Sequence, residues 1–222
     1  MNRRWRFQLG ALGIMGACGL LPLVAEAVTG SHNMSSRAPG GQVCIVCHAP
    51  HGVPKSPLLW NHELSIVNYS WSDWTKTTGD TTLPTNIQSW SGSTKMCLSC
   101  HDGTVALGAL ADGTVFNSSK MTGHNLITTL SGDMKGNHPV AVPYPYNRVK
   151  NTYNGITTGD LALTSGWVAT PTKVKIYSDA AGGANNRGIE CSSCHDPHGT
   201  TNPNYLRDST SGSAICLNCH TK

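Results

Sequence analysis

The sequence predicts a chain of mostly loops and short helical turns with a few short strands, organised around bound cofactors more than around an apolar core of its own. Three observations predict it. The motif Cys-x-x-Cys-His occurs four times, as Cys44-Ile45-Val46-Cys47-His48, Cys97-Leu98-Ser99-Cys100-His101, Cys191-Ser192-Ser193-Cys194-His195 and Cys216-Leu217-Asn218-Cys219-His220. Aromatic residues make up only 6% of the chain and aliphatic periodicity is weak, so little apolar surface is available for burial. Between the motifs the chain is rich in Gly, Ser, Thr, Asn and Pro, as in residues 77–82 (TTGDTT) and 182–186 (GGANN), which favours turns.

Each motif reads as a covalent attachment site for c-type haem. Two thiols one short turn apart can each form a thioether to a haem vinyl group, and the His that follows falls beneath the iron as its proximal ligand. A single copy also fits a zinc half-site or a redox dithiol. Four copies, each with His directly after the second Cys, point to haem. Cys44, Cys47, Cys97, Cys100, Cys191, Cys194, Cys216 and Cys219 are then the thioether residues of four haem c groups, and His48, His101, His195 and His220 the proximal ligands. Of nine Cys only Cys18 lies outside the motifs, so no pair remains for a disulfide. The expected fold class is a multihaem cytochrome c with a haem-organised core.

Residues 1–27 read as a signal peptide: Arg3, Arg4 and Arg6, an apolar run over 9–24, and Ala25-Glu26-Ala27 before the expected cleavage point. Gly and Pro22 interrupt the run, which is too short for a membrane span. Cys18 has a faint likeness to a lipoprotein acylation site, which the A-x-A signature outranks. Residues 28–222 are read as a single tetrahaem domain without a membrane span, exported to the cell surface or beyond, with the periplasm as the alternative. Helical turns are expected to carry the motifs. Residues 173–177 (KVKIY) alternate like a strand, and residues 69–74 are read as another.

The formal net charge of +4 includes four charged leader residues, without which thirteen Lys and Arg face eleven Asp and Glu, a net +2. Haem propionates would make the loaded protein net negative. Lys and Arg form no stripe, which leaves a nucleic-acid partner unsupported. Arg148, Lys150 and Arg187 are candidate partners for propionates.

The motifs form an internal repeat. Residues 44–101 and 191–220 both read Cys-x-x-Cys-His-x-Pro-His-Gly, then apolar-Cys-Leu-x-Cys-His. Each half is expected to hold a close haem pair.

Six further histidines are candidates for the sixth ligand: His32, His51, His62, His124, His138 and His198. They suffice to give every iron a second imidazole, which leaves no vacant position for a substrate. Met34, Met96, Met121 and Met134 are not needed. His51 and His198 stand three residues after a proximal His, behind Pro50 and Pro197, too tightly held to reach the far face of their own haem. Each should serve a different haem. His138 precedes Pro139, His32 lies in an N-terminal segment able to fold over a haem, His124 is a reserve distal candidate, and His62 reads as packing beside Trp60. Trp60, Trp71, Trp74, Trp90 and Trp167 read as packing against porphyrin faces.

The run from His32-Asn33-Met34-Ser35 through CIVCHAPHG, PLLWN, MCLSCHDGTVALG, NHPV and CSSCHDPHG to CLNCH resembles the doubled-CxxCH family of bacterial multihaem cytochromes. The resemblance implies His32, His51, His138 and His198 as distal ligands. The haem number, the length and the GHN element around His124 also resemble the OmcE-type extracellular cytochromes that polymerise into filaments. That likeness implies that His51 ligates a haem of the adjacent subunit. The expected function is electron transfer without catalysis, in a homopolymer that exchanges electrons with other redox cytochromes and with external acceptors such as metal oxides. The alternatives are a monomeric periplasmic carrier and a multihaem reductase, the latter disfavoured because all four motifs end in His.

Overall fold

The computed structural model describes residues 28–49, 51, 59–77, 81–83, 90, 92–145, 150–160, 166–178 and 187–221. The expected leader with Cys18 lies outside the described residues, as do Pro50, Arg148 and residues 182–186.

Regular structure is sparse, as the composition predicts. The helices are α1 (Ser93–His101), α2 (Cys191–Cys194) and α3 (Ala214–Leu217), and a 3-10 turn spans Val43–Val46. Each carries one motif or begins it. The backbone N–H of the proximal His returns to the carbonyl of the first Cys in three motifs: His48 to Cys44 (2.7 Å), His195 to Cys191 (3.1 Å) and His220 to Cys216 (2.9 Å). One closed α-type turn thus fixes both thiols relative to the imidazole.

The strands are two or three residues long: β1 (Val142–Pro143), β2 (Thr152–Tyr153), β3 (Ile156–Thr157), β4 (Tyr177–Ser178) and β5 (Arg187–Ile189). An antiparallel sheet has the order β1-β5-β4, and β2 and β3 form a hairpin. Its turn residues Asn154 and Gly155 both have positive φ (50° and 75°), as a two-residue hairpin turn requires. The two sequence-predicted strands are largely absent. Only Tyr177 of residues 173–177 enters a strand, and residues 69–74 make a single bridge, between Ser70 and Asp133. Alternation there reports a buried face and no ladder: Tyr69 and Trp71 point inward, as does Val174.

Tyr69, Trp71, Leu83, Trp90, Leu98, Met134, Ala141 and Val142 form one apolar cluster, with Val67, Ile127 and Val140 packed against it. Trp71 and Trp90 therefore pack within the chain's own core, which corrects their reading as porphyrin neighbours. Met134 is buried there too, away from any ligand role. The cluster surrounds α1 through Leu98, so the second motif hangs from the best-packed part of the chain. Among the described residues, no helix is long and apolar enough to cross a membrane.

Leu98 is fully buried in this cluster. Leu98→Ala is expected to destabilise the haem-loaded protein by about 2–5 kcal/mol through loss of packing and a residual cavity. Thermal denaturation would show this as a lowered Tm with the haem number unchanged.

Candidate haem-binding sites

Three proximal histidines sit in the same backbone frame. Around His48, Asn61 N–H donates to Cys47 O (2.9 Å) and Ala49 N–H to Leu59 O (2.8 Å). Around His195, Arg207 donates to Cys194 O and Asp196 to Tyr205 O, both at 2.8 Å. Around His220, Val168 donates to Cys219 O (2.9 Å) and Thr221 to Gly166 O (2.7 Å). These bonds make the isolated antiparallel bridges His48–Trp60, His195–Leu206 and His220–Trp167. The acceptors Leu59, Tyr205 and Gly166 all have positive φ (52°, 59° and 108°). Only one of them is Gly, so two non-glycine residues hold a strained conformation to complete the frame. His101 is held differently. It ends α1, its carbonyl accepts Ile127 N–H (2.9 Å), and its Nδ1 donates to Asn125 O (2.9 Å).

Three proximal imidazoles face a second imidazole drawn from elsewhere in the chain. His48 faces His198 with ring centres 6.3 Å apart, His101 faces His32 at 6.1 Å, and His220 faces His138 at 6.4 Å. Two imidazoles that share a metal through bonds of about 2 Å, each nitrogen lying about 1 Å from its ring centre, stand about 6 Å apart. The gaps therefore match a single ligated iron between each pair. The hydrogen bonds agree. Nδ1 of His32 meets Pro197 O (3.1 Å), that of His138 meets Pro139 O (2.8 Å), and that of His195 meets Asn204 O (2.8 Å). A carbonyl only accepts, so Nδ1 carries the proton and Nε2 keeps its lone pair, the arrangement of a metal-binding His. Burial pushes the pKa of His32 and of His220 below the usual imidazole value, which favours the neutral, ligating form.

The N-terminal segment is held in place by the third-motif loop. Thr29 N–H donates to His198 O (3.1 Å), and the Tyr205 hydroxyl accepts His32 N–H (3.1 Å) and donates to Thr29 O (3.2 Å). The Tyr205 ring stacks on His32 with centres 4.6 Å apart.

The remaining histidines differ. Among the described residues, no histidine ring faces His195. His51 and His124 are exposed. His124 sits in the 3-10 turn Gly123–Asn125, whose Asn125 carbonyl braces His101, so the element's visible role is to orient a proximal ligand. His62 is buried with Nδ1 against Glu63 O (2.8 Å) and Nε2 against Ala106 O (3.0 Å) and Cys100 Sγ (3.4 Å), so both nitrogens are engaged within the chain. Trp60 and Trp167 do lie beside proximal histidines, at 6.2 Å from His48 and 4.4 Å from His220. The buried Trp60 Nε1 has no hydrogen-bond partner among the described residues. Of the candidate propionate partners, Arg187 lies over the Tyr144 ring and donates to Ala169 O, while Lys150 is exposed.

The thiols show which motifs adjoin. Cys97 of the second motif and Cys191 of the third are partly buried and lie beside each other. Cys47 acts on Cys100, and Cys219 and Cys216 act on Cys194. Burial pushes Cys47 and Cys194 up to about 11 and Cys100 up to about 12. Sites that penalise a thiolate suit neutral thioethers. Among the described residues, no three His, Cys, Asp or Glu side chains gather as a metal site.

Next to His101, the fully buried Asp102 accepts hydrogen bonds from the hydroxyls of Ser65, Tyr69 (2.6 Å) and Thr104 and from Thr104 N–H (2.8 Å). Asp102→Ala would leave these buried donors unpaired, at about 1–3 kcal/mol for each group that stays unsatisfied. Chemical denaturation of the haem-loaded protein should show the midpoint fall.

A family model for the doubled CXXCH motif matches residues 183–222, which contain the third and fourth motifs. No curated protein matches the chain. Over those residues the match supports a segment of the multihaem c-type cytochrome kind, with covalently bound haem and a part in electron transfer.

Proposed function

We propose that the chain carries four haem c groups in a row and passes electrons along them as the subunit of an extracellular homopolymer. The observation that supports this is the set of three facing imidazole pairs at 6.1–6.4 Å beside one proximal His, His195, that faces none among the described residues. In this reading His198 serves the first-motif haem, His32 the second and His138 the fourth. The neighbouring of Cys47 and Cys100, of Cys97 and Cys191, and of Cys194 and Cys219 supports haems that follow one another in space in the order of the motifs.

Of the three histidines left over, His62 is buried against chain carbonyls, so the third-motif haem takes its distal imidazole from His51 or His124, and the family resemblance favours His51 of an adjacent subunit. A ligand presented by one copy to a vacancy on the next is a heterologous contact, which generates an open filament when the rotation does not close. Each bound haem stores one electron at its iron. The chain's own residues fix the imidazoles of three pairs and space neighbouring motifs, and in the polymer the donated histidine fills the remaining position, so no substrate is transformed. Export rests on residues 1–27. Other redox cytochromes load the polymer, and external acceptors such as metal oxides drain it.

The test is negative-stain electron microscopy of the haem-loaded protein with mass spectrometry of its haem content. Long filaments with four haems per chain are expected, and His51→Ala should abolish the filaments while all four haems stay attached. Filaments that persist in His51→Ala would sink the donated-ligand reading. Uniform small particles from the unaltered protein would establish a monomeric carrier with all ligands in its own chain.

His198→Ala should convert one haem of four to a high-spin, carbon-monoxide-binding form in absorption spectra. An unchanged low-spin spectrum would reject the pairing with His48.

A further inference from the structure

The tightest contact between motifs lies between the second and the third, across the halves of the repeat, and one carboxylate makes it. Glu190 links β5 to α2 and is almost completely buried. It is the N-cap of α2, where it forms a capping box with Ser193. The same side chain reaches α1, where Thr94 N–H donates to its Oε2 (2.8 Å). The Tyr153 hydroxyl donates to its Oε1 (2.8 Å), and the side chains of Thr94 and Asn154 bond to it as well. Around it, Cys191 N–H donates to Thr94 Oγ1 (3.1 Å), and the hydroxyls of Ser93 and Ser192 are hydrogen-bonded.

Two glycines make room for this junction. A Cβ on Gly92 would collide with the Glu190 carboxylate, and one on Gly188 with the Tyr153 ring. The starts of α1 and α2 are thereby fixed side by side, with Cys97 and Cys191 in contact. A capping role for α2 alone needs none of the bonds to α1 and Tyr153.

We infer that Glu190 is a positioning residue for the central electron step, spacing the haems of the second and third motifs and placing a buried negative charge beside both. This rests on the tetrahaem reading above. The hydrogen bonds that the carboxyl makes are donated to it by Thr94, Tyr153 and Asn154, an arrangement that satisfies a carboxylate. Burial holds its pKa above the usual carboxylate value, against the smaller pull downward of the bonds from Thr94, Tyr153 and Asn154. Reduction adds one electron and no proton to a ferric centre. A fixed anion in a low-dielectric interior opposes that addition, so the two central haems should have lower potentials than they would without it. One electron then leaves one central haem for the other with no further reactant.

Three measurements on the haem-loaded protein test this: haem content by mass spectrometry, the Soret circular-dichroism couplet that reports haem spacing, and a spectroelectrochemical titration. Glu190→Gln keeps the side chain's size and removes its charge. It should load four haems and raise two of the four potentials, each by about tenfold in the reduction equilibrium or about 59 mV for one electron, with the others unmoved. Glu190→Asp keeps the charge and shortens the reach, so it should alter the couplet. Potentials in Glu190→Gln that all stay put, or all move together, would overturn the inference. Should Glu190→Gln not load, an unaltered couplet in Glu190→Asp would overturn it instead. Fewer than four haems on the unaltered protein would fail the tetrahaem reading and not the role of Glu190.

Discussion

The gap of 6.1–6.4 Å between facing imidazoles is the constraint that the rest of the fold serves. Each pair joins parts of the chain that are far apart in sequence: His48 to His198, His101 to His32, His138 to His220. Closing such long loops costs conformational entropy that a chain with two-residue strands and one-turn helices repays poorly. A shared metal would act on this chain as a cross-link acts on a small disulfide-rich domain, restricting the open ensemble and fixing the closed one. Irregular backbone is then sufficient, because order comes from the ligand pairs and from the short frames that aim them.

The third-motif loop has a double share in this arrangement. It carries His198, which faces the first proximal His, and through Pro197 and Tyr205 it also seats His32 opposite the second. Asp196 within it is anchored by the Arg207 guanidinium at 2.8 Å. Burial works against the Asp196 carboxylate, yet the His198 N–H and the Arg207 charge prevail and hold its pKa below the usual value. One short loop therefore sets ligands for two motifs other than its own, and disturbance there is felt at three sites.

Much of the site was legible in the sequence because its chemistry demands fixed spacing. The Cys-x-x-Cys-His turn needs both thiols and the imidazole within five residues, and the three-residue tether from His195 to His198 is too short to round its own haem. Other features left no such trace. The bridge frame recurs three times, but Leu59, Tyr205 and Gly166 are unlike residue types sharing only a backbone conformation. The Asn125 carbonyl that braces His101 is a main-chain atom and has no sequence signature. Trp71 and Trp90 could not be told from porphyrin neighbours, since a large apolar ring packs equally well on protein or cofactor. The alternation at 69–74 correctly marked an inward face but not the missing ladder partner.

The repeat pointed to contacts within each half, and Cys47 beside Cys100 and Cys194 beside Cys219 agree with it, but it left no trace of the contact between the halves. The structure also sets α1 of the first half against α2 of the second. The reason is a single acid, Glu190, whose burial is tolerable only where donors from both helices converge on it. The same region holds the chain's main apolar cluster and the Asp102 network, so the second motif is embedded in structure the protein can build from its own side chains. The first and fourth motifs, resting on isolated bridges and half-exposed thiols, depend far more on what they bind. The chain is thus graded from a self-supporting centre to cofactor-dependent ends, and the centre is where the spacing between motifs is most firmly fixed.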